Sequence, residues 1–536
     1  MQIHRLILIV LGSLLSQISI AQTGFDTYVP SSSAGTTGLA VHIETPSKER
    51  YGQQCGAPIV TCFVGGDNPD QIQASDFKNV NFASQGFIKV AFNYPGGGTL
   101  PQISGGTYDS RGPNCIQAAY DALRFLTGQI ADNNGKFLAD LIAPIIPDYD
   151  NVGIIANSNG GNMSLIVSGK YGDKLSGLKW IVNWESPIGD GHYTLDKGSS
   201  INGENLAYDT LTNTFDFSKL RYSSDVVASY SNFISLKGGF YFDNDNDNKY
   251  KSGGADYGLT GMLYSPFGND ISYYSETILH AADSLGIIPN NVAHLPSISD
   301  DRNFWLIRNG SYYLDSVVMR KPDLFFMLLG SVEDHMQGEP NHPHLIAQYE
   351  PLRKMGLKFV RLNPDKSYIE NVSGKKNSQI VDNDAYLSYN YTSIKLAVEP
   401  EAISYNDFVI AGACEAADRV LNDNTSANLS TVLPTQCVPV VTGIQDIVLE
   451  SSNIKFFPNP VQLNETLHIQ IDGDVNALVN IKMYDVLGKI ELMRSNLVVD
   501  QDGNLSIFTI NLEPGTYFVQ LQIGEKIENS TLVISK

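Results

Sequence analysis

The chain has few basic residues for its length. Its 536 residues include 36 Lys and Arg against 57 Asp and Glu, which gives a formal net charge of −21 at pH 7. Such an acidic protein repels phosphate groups, so the composition argues against nucleic acid or an anionic membrane as a partner. Apolar runs long enough to cross a bilayer are also missing after the first 21 residues, and the sequence therefore predicts no transmembrane segment.

Residues 1–21 have the composition of a signal peptide. Arg5 lies near the start, an apolar run begins at Leu6, and the small residues Ser19 and Ala21 form a cleavage site. This stretch is too short and wrongly flanked for a membrane span. We therefore expect an exported protein.

Cysteine is scarce, with five residues in the chain. An exported protein with five cysteines forms at most two disulfides and leaves one thiol over. Cys414 and Cys437 flank a loop near the end of the central region and are the predicted pair. Cys62 falls inside an apolar strand, and Cys115 opens a helix.

The C-terminal segment 454–536 alternates apolar and polar residues with a period of two, between turns rich in Gly, Pro and Asn. This pattern predicts a small antiparallel β-sandwich. The motifs Phe-Phe-Pro-Asn-Pro at 456–460, Met-Tyr-Asp-Val-Leu-Gly-Lys at 483–489 and Leu-Glu-Pro-Gly-Thr-Tyr-Phe-Val at 512–519 resemble the type A sorting domain of the Bacteroidetes type IX secretion system. The resemblance implies a secreted or cell-surface protein that the type IX secretion machinery carries across the outer membrane. Residues 438–453 then form a linker.

The central region, residues 22–437, alternates predicted strands with predicted helices, which is typical of an α/β protein with a mostly parallel sheet. The strands are predicted at 39–44, 58–64, 86–94, 151–157, 178–184, 324–329 and 357–362, and the helices at 115–127, 346–355 and 405–421.

One short motif stands out directly after the fourth predicted strand. Ser158 lies in a turn between the small residues Ala156 and Gly160, where strand and helix must pass closely. This pattern is typical of a nucleophile elbow, which presents a strained serine at the edge of the sheet. The same serine would also suit the N-cap of an ordinary helix.

Together these features resemble the α/β-hydrolase fold over roughly residues 35–425. The resemblance implies that the long segment 190–320 is a lid insertion. It also implies a Ser158 nucleophile, an acid at Asp334 after a late strand, and an oxyanion hole formed by the backbone N–H of Gly66, or of its neighbour Gly65, with that of Asn159. The two glycines would equally serve a tight turn.

The general base is harder to assign. The family places its histidine after the last strand, but residues 363–368 contain none, and the only histidine beyond position 344 is His468. A histidine cluster at 333–344 offers His335 as base, with His342 and His344 as the alternatives.

The carboxylate that orients the base is either Asp334 or one from the neighbouring strand end, Glu185 or Asp190. The same loop would also suit a metal such as Zn²⁺, because His and carboxylates are its ligands. A third interpretation is a surface loop in which His344 caps the next helix.

A second acidic cluster carries Asp243, Asp245, Asp247 and Asp256. Alternating carboxylates with another acid about a dozen residues later resemble a Ca²⁺-binding loop. The cluster lacks the glycine and the glutamate of an EF-hand, and a solvated turn rich in Asp and Asn would look similar. We expect a structural Ca²⁺ and no organic cofactor.

The sequence thus predicts a secreted serine hydrolase that acts on an ester or peptide-like acyl bond of a small or polymeric extracellular substrate. The missing histidine supports an alternative, a binding protein that keeps a hydrolase scaffold without catalysis. A metal-assisted hydrolase that uses the 333–344 loop is the third possibility.

Overall fold

The computed structural model places most of the chain after residue 23. The described residues are 24–189, 196–199, 203–209, 212, 214–229, 235–251, 254–259, 271, 273–290, 292, 294–330, 343–375, 403–426, 431–437, 454–463, 465–471, 478–486, 490–500, 503–508, 512–523 and 526–535. The chain divides into two compact units, residues 1–439 and 440–536. No helix of the described part is long and apolar enough to cross a membrane.

An eight-stranded sheet forms the centre of the first unit, with the strands in the order 1-2-4-3-5-6-7-8. Strand β2 runs antiparallel to β1 and β4, and the remaining neighbours are parallel. The strands are β1 (Gly24–Val29), β2 (Leu39–Glu44), β3 (Ala57–Phe63), β4 (Ile88–Phe92), β5 (Pro147–Asn157), β6 (Leu178–Trp184), β7 (Phe325–Leu329) and β8 (Phe359–Leu362).

Helices cover both faces of this sheet or lie in the insertion between β6 and β7. They are α1 (Pro113–Leu126), α2 (Gly160–Tyr171), α3 (Glu276–Ser284), α4 (Ile298–Arg308), α5 (Leu314–Arg320), α6 (Pro343–Lys354), α7 (Lys366–Ser373) and α8 (Tyr405–Leu421), with shorter helices at Gly52–Cys55, Ser75–Lys78 and Leu138–Ile142. Because side chains alternate along a strand, Ile59 and Phe63 of β3 pack with α1 and α2, whereas Val60 and Cys62 pack with α8.

The segment between β6 and β7 is the large insertion. Strands Leu220–Ser229 and Ser235–Phe242 pair antiparallel there, and helices α3, α4 and α5 follow. An apolar cluster that includes Phe240, Phe242 and Leu279 gives the insertion a core of its own. Shorter strands lie at Gly198–Ser199, Gly203–Glu204, Tyr208–Asp209, Thr214–Phe215 and Tyr257–Gly258.

The second unit is all β. Its strands form a three-stranded and a five-stranded sheet around one apolar core. They are Ile454–Phe457, Val461–Gln462, Thr466–Ile471, Leu478–Tyr484, Ile490–Val498, Asn504–Phe508, Gly515–Ile523 and Lys526–Ser535. The predicted C-terminal β-sandwich is consistent with these two sheets.

The strand order and the single reversed strand are those of an α/β-hydrolase sheet, so the predicted fold class is confirmed. Strand β1 was not predicted, because its sequence Gly-Phe-Asp-Thr-Tyr-Val has no clear apolar period. The predicted Cys414–Cys437 disulfide is wrong. Cys437 pairs with Cys55, with 5.9 Å between their Cα atoms, and Cys414 is a free thiol on the buried face of α8.

The pH dependence of stability offers a test of this packing at the start of β5. Burial raises the pKa of Asp148 to about 6, from an ordinary value of 3.8. The folded state therefore binds this proton more tightly than the unfolded chain, and the group's stabilising contribution is complete below pH 3.8 and is lost as the pH rises through 6. We expect Asp148→Asn to raise the free energy of unfolding at pH 8, by at most about 3 kcal/mol.

Urea unfolding at pH 8 and at pH 4.5 measures the effect, which should shrink at the lower pH. Asp225→Asn, on an exposed position of an insertion strand, is the control, because it removes one carboxylate from the surface. An Asp148→Asn effect that is equal at both pH values would contradict the assignment.

Candidate active site

Ser158 lies directly after β5, in the turn that leads into α2. Its backbone adopts a left-handed conformation, with φ 48°, which costs a non-glycine residue on the order of 1–3 kcal/mol. The turn is held on both sides: the Ser158 N–H donates to the carbonyl of Trp184, and the Ser158 carbonyl accepts from the N–H of Gly161. The side chain is half-buried. The strained residue is therefore fixed at the carboxyl edge of the sheet.

Small residues make this turn possible. A Cβ atom on Gly160 would lie 1.8 Å from the carbonyl oxygen of Phe63, and one on Gly161 would lie 2.4 Å from the Cβ of Ser186. A Cβ atom on Gly65 would lie 2.7 Å from the Cβ of Ser158 itself. Helix α2 thus begins in contact with the ends of β3 and β6, as the spacing of small residues predicts.

The glycine loop after β3 is pinned beside Ser158. The Asn159 side-chain amide donates to the carbonyl of Gly66 at 3.1 Å, and the guanidinium of Arg111 donates to the carbonyl of Val64 at 2.7 Å. Gly66 itself has φ 66°, which favours glycine. Asn159 immediately precedes the first residue of α2, where unpaired N–H groups and the helix dipole favour negative charge. The loop and this helix start are thus adjacent, as an oxyanion hole requires.

A buried histidine–carboxylate pair lies at the same edge. Glu185 follows β6 with φ 39°, and His344 belongs to the first turn of α6. Their side chains are 8% and 1% exposed, and Nε2 of His344 lies 2.8 Å from Oε2 of Glu185. Ala156 and Asn157 of β5 pair in register with Asn183 and Trp184 of β6, so Ser158 and Glu185 occupy equivalent positions on neighbouring strands.

A hydrogen-bond network holds α6 against this edge. The Gln348 amide donates to the carbonyl of Ser186 at 2.5 Å and accepts from Asn183 at 2.8 Å, and Asn183 in turn accepts from the hydroxyl of Ser164 in α2. Gln348 lies one turn after His344, so the histidine is positioned by a satisfied buried network.

The predicted residues divide into two groups. The structure brings Gly66, Ser158, Asn159, Glu185 and His344 to one edge of the sheet. The predicted acid Asp334 and the predicted bases His335 and His342 lie outside the described residues, as does Asp190. Their roles stay predictions, and so does the metal alternative for that loop.

The loop after β8, where the family has its histidine, is used differently here. Asp365 is 1% exposed, its side chain caps the start of α7, and its N–H donates to Glu415 at 2.6 Å. Arg361 is fully buried beside both carboxylates. This loop is thus tied into a buried charge cluster with α8.

Two residues of the site escaped sequence reasoning. Arg111 has φ 65° and is buried below the glycine loop. Asn162, 4% exposed, accepts hydrogen bonds from the N–H groups of Gly189 at 3.2 Å and Gly310 at 2.8 Å. Asn162 occurs four residues after the serine, one helical turn on, and this spacing was the available signal.

The predicted calcium loop brings three of its four acids together. Ligand atoms of Asp243, Asp245 and Asp247 lie within 4.8 Å of one another. Asp256 is not in this group, because its two oxygens accept the N–H groups of Asn244 and Lys251. The Lys251 ammonium is bonded to both Asp245 and Asp247 and thus supplies the positive charge that these carboxylates require. The donor set fits Ca²⁺ once Lys251 is displaced, and calcium binding stays a prediction.

The C-terminal unit has a recognised family. Residues 455–535 match the family model of the secretion system C-terminal sorting domain. This segment is a sorting domain. The resemblance of the C-terminal segment to the type IX sorting domain is confirmed, and with it export by type IX secretion to the cell surface or the medium, in partnership with that machinery.

The first unit is similar to solved esterase structures. Carboxyl esterase 2 of the fungus Tuber melanosporum is 12% identical over 75% of this chain and 88% of its own, with a TM-score of 0.35. Brefeldin A esterase, a bacterial homologue of human hormone-sensitive lipase, is 12% identical over 74% of this chain and 77% of its own, with a TM-score of 0.35. A thermophilic carboxylesterase from a metagenomic library is 20% identical over 31% of this chain, with a TM-score of 0.23. The match spans 48% of that esterase, about half of its length.

No curated protein matches the chain.

The close contact at Gly160 gives a first test. We expect Gly160→Ala to lower the free energy of unfolding by about 1–3 kcal/mol or more, because its methyl group would press on backbone that is fixed in β3. Gly412→Ala in α8 is the control, since its methyl group would meet only side-chain atoms, at 3.3 Å or more. The free energies of unfolding of both variants are measured by chemical unfolding. Equal stability of the two variants would contradict this account of the turn.

The calcium prediction is tested with Lys251→Met, which removes the ammonium from Asp245 and Asp247. We expect Ca²⁺ to raise the melting temperature of the wild type and to raise that of the variant further, because bare carboxylates repel one another until a cation binds. Differential scanning calorimetry with and without Ca²⁺ measures both shifts. The prediction fails if neither protein responds.

Proposed function

We propose that the protein is a secreted serine hydrolase that cleaves ester bonds, with Ser158 as nucleophile, His344 as general base and Glu185 as the carboxylate that orients it. The observation that carries the proposal is the buried Glu185–His344 pair, whose carboxylate occupies the strand position next to Ser158. The chain order Ser, acid, His is that of the α/β-hydrolases.

The chemistry follows from these positions. A serine hydroxyl attacks an acyl carbon only when a base takes its proton, and a buried carboxylate stabilises the imidazolium that results. Glu185 binds Nε2 of His344, so the proton from Ser158 would pass to Nδ1 on the opposite edge of the ring. The proton then returns from Nδ1 to the leaving alcohol. His344 thus replaces the histidine that the family carries after its last strand.

The developing oxyanion needs donors that are already in place. The backbone N–H groups of Gly66 and Asn159 are the candidates, since the glycine loop packs against Ser158 and Asn159 lies at the start of α2. One such donor contributes on the order of 10²–10³ in turnover. Arg111 and the Asn159 side chain hold this loop through the carbonyls of Val64 and Gly66, and so act as positioning residues.

A non-catalytic binding protein is the second candidate. It is favoured by one observation: the loop after β8, residues 363–368, contains no histidine. Under this alternative, Glu185 and His344 are a structural pair that fixes α6 to the sheet. The two candidates differ in whether Ser158 is activated.

A fluorophosphonate probe, which labels activated serines, distinguishes them. We expect rapid labelling of the wild type and none of Ser158→Ala. His344→Gln should slow labelling on the order of 10²–10⁴-fold, the usual contribution of a general base, and Glu185→Gln should slow it as well. Mass spectrometry of the labelled peptide and the labelling rate are the measurements.

The control is a second histidine–carboxylate pair, His42 with Asp26, joined at 2.6 Å across β1 and β2. His42→Gln should label at the wild-type rate. Wild-type labelling by His344→Gln would remove His344 as base and return the role to the 333–344 loop. Absence of labelling in folded wild type would favour the binding protein.

A further inference from the structure

A groove of about 410 Å³ opens where the insertion meets α6. Its lining includes Gly189, which follows the Glu185 turn, and Ala347, which lies one turn after His344 in α6. The far wall comes from α3 and from the segment between α4 and α5. The groove is thus bounded by both the scaffold and the insertion.

Asn162 ties these walls to the serine turn. Its side-chain oxygen accepts the N–H of Gly189 on one side and the N–H of Gly310 on the other. Gly189 lines the groove, and Gly310 lies between the lining residues Asn309 and Ser311. Since Asn162 belongs to the first turn of α2, the groove and Ser158 are fixed to the same short stretch of backbone.

The chemistry of the lining is mixed. Tyr312, half of whose surface is exposed, presents an aromatic ring, and its hydroxyl donates to Glu276 at 2.5 Å. Thr277 and Ser311 add hydroxyl groups, and Ile188 adds an apolar side chain. A flat ring surrounded by an acceptor carboxylate and hydroxyls matches a ligand with apolar faces and polar edges.

A sugar ring has such faces and edges. Its C–H groups pack on an aromatic ring, and its hydroxyls exchange hydrogen bonds with carboxylate, amide and hydroxyl groups. The lining includes the carboxylate of Glu276 and the imidazole of His280 but no Lys or Arg, so it offers no permanent positive charge to an anionic ligand. A simple alkyl chain would leave these polar groups without partners and would bind poorly.

We propose that this groove binds the carbohydrate part of the substrate, so that the protein acts on an O-acylated oligosaccharide. The inference rests on the proposed hydrolase function for the reaction, but not for the binding. Tyr312 is the residue on which a sugar ring would stack, and Glu276 holds the tyrosine in place while accepting sugar hydroxyls.

Binding is measured first, without any reaction. Isothermal titration calorimetry of Ser158→Ala with an O-acetylated xylo-oligosaccharide should show binding. Adding Tyr312→Ala to that protein should weaken the affinity on the order of 10-fold, as expected for one well-placed contact. Phe137→Ala is the matched control, because Phe137 is an exposed aromatic residue, at 43%, that does not line the groove.

Turnover supplies the second readout. In the otherwise unchanged protein, Tyr312→Ala should lower kcat/KM for the acetylated oligosaccharide on the order of 10-fold and change that for p-nitrophenyl acetate less than about twofold. An equal loss on both substrates, or sugar binding that Tyr312→Ala leaves intact, would overturn the inference. Sugar binding without fluorophosphonate labelling would instead overturn the hydrolase function and leave the groove assignment standing.

Discussion

The contact between the first turn of α2 and the sheet is the constraint on which the candidate site depends. Gly160 and Gly161 bring the helix so close to β3 and β6 that neither position tolerates a side chain. A strand can enter a helix at this distance only through a sharp turn, and Ser158 adopts a left-handed conformation to make it. The cost of that conformation is offset by packing of α2, whose residues 160–169 are all buried. The strained serine is therefore a consequence of close packing and is fixed by it.

Two other strand ends share this strain. Glu185 after β6 and Asn363 after β8 also have positive φ, at 39° and 58°. In an open α/β sheet, ligands bind outside the carboxyl ends of the strands, where the chain turns away from the sheet. The turn after β6 places the Glu185 carboxylate next to His344. The turn after β8 is followed by the buried cluster of Arg361, Asp365 and Glu415. Equivalent turns thus lead to the proposed catalytic pair in one place and to a buried ionic cluster in the other.

That buried cluster occupies the loop in which the α/β-hydrolase resemblance would place a histidine. Replacing a member of a paired, buried ionic group leaves a charge without its partner, which typically costs 3–5 kcal/mol. Asp365 also caps α7 and faces Arg361, so a histidine in this loop would have to compete with both roles. A base supplied by α6 avoids the conflict, because α6 is anchored by Gln348 to the neighbouring strand end.

The sheet, the serine turn and the sorting domain could be predicted from the sequence, because each depends on a local pattern of apolar, small and turn-forming residues. Contacts between residues that are distant in the chain could not be predicted in this way. Glu185 and His344 are 159 residues apart, and no spacing rule relates them. Cys55 and Cys437 are separated by 382 residues in the sequence. Cys414 is closer to Cys437 in the sequence, but it lies on the buried face of α8, in the apolar core that this helix covers. Strand order decides such pairs, and it becomes visible only once the sheet is assembled. The same holds for Asn162, whose one oxygen accepts hydrogen bonds from Gly189 and from Gly310, which lies 121 positions later in the chain. A single side chain in the first turn of α2 thereby joins two backbone positions at the groove to the turn that carries Ser158, and under the proposed function substrate selection and acyl transfer would both depend on this packed turn.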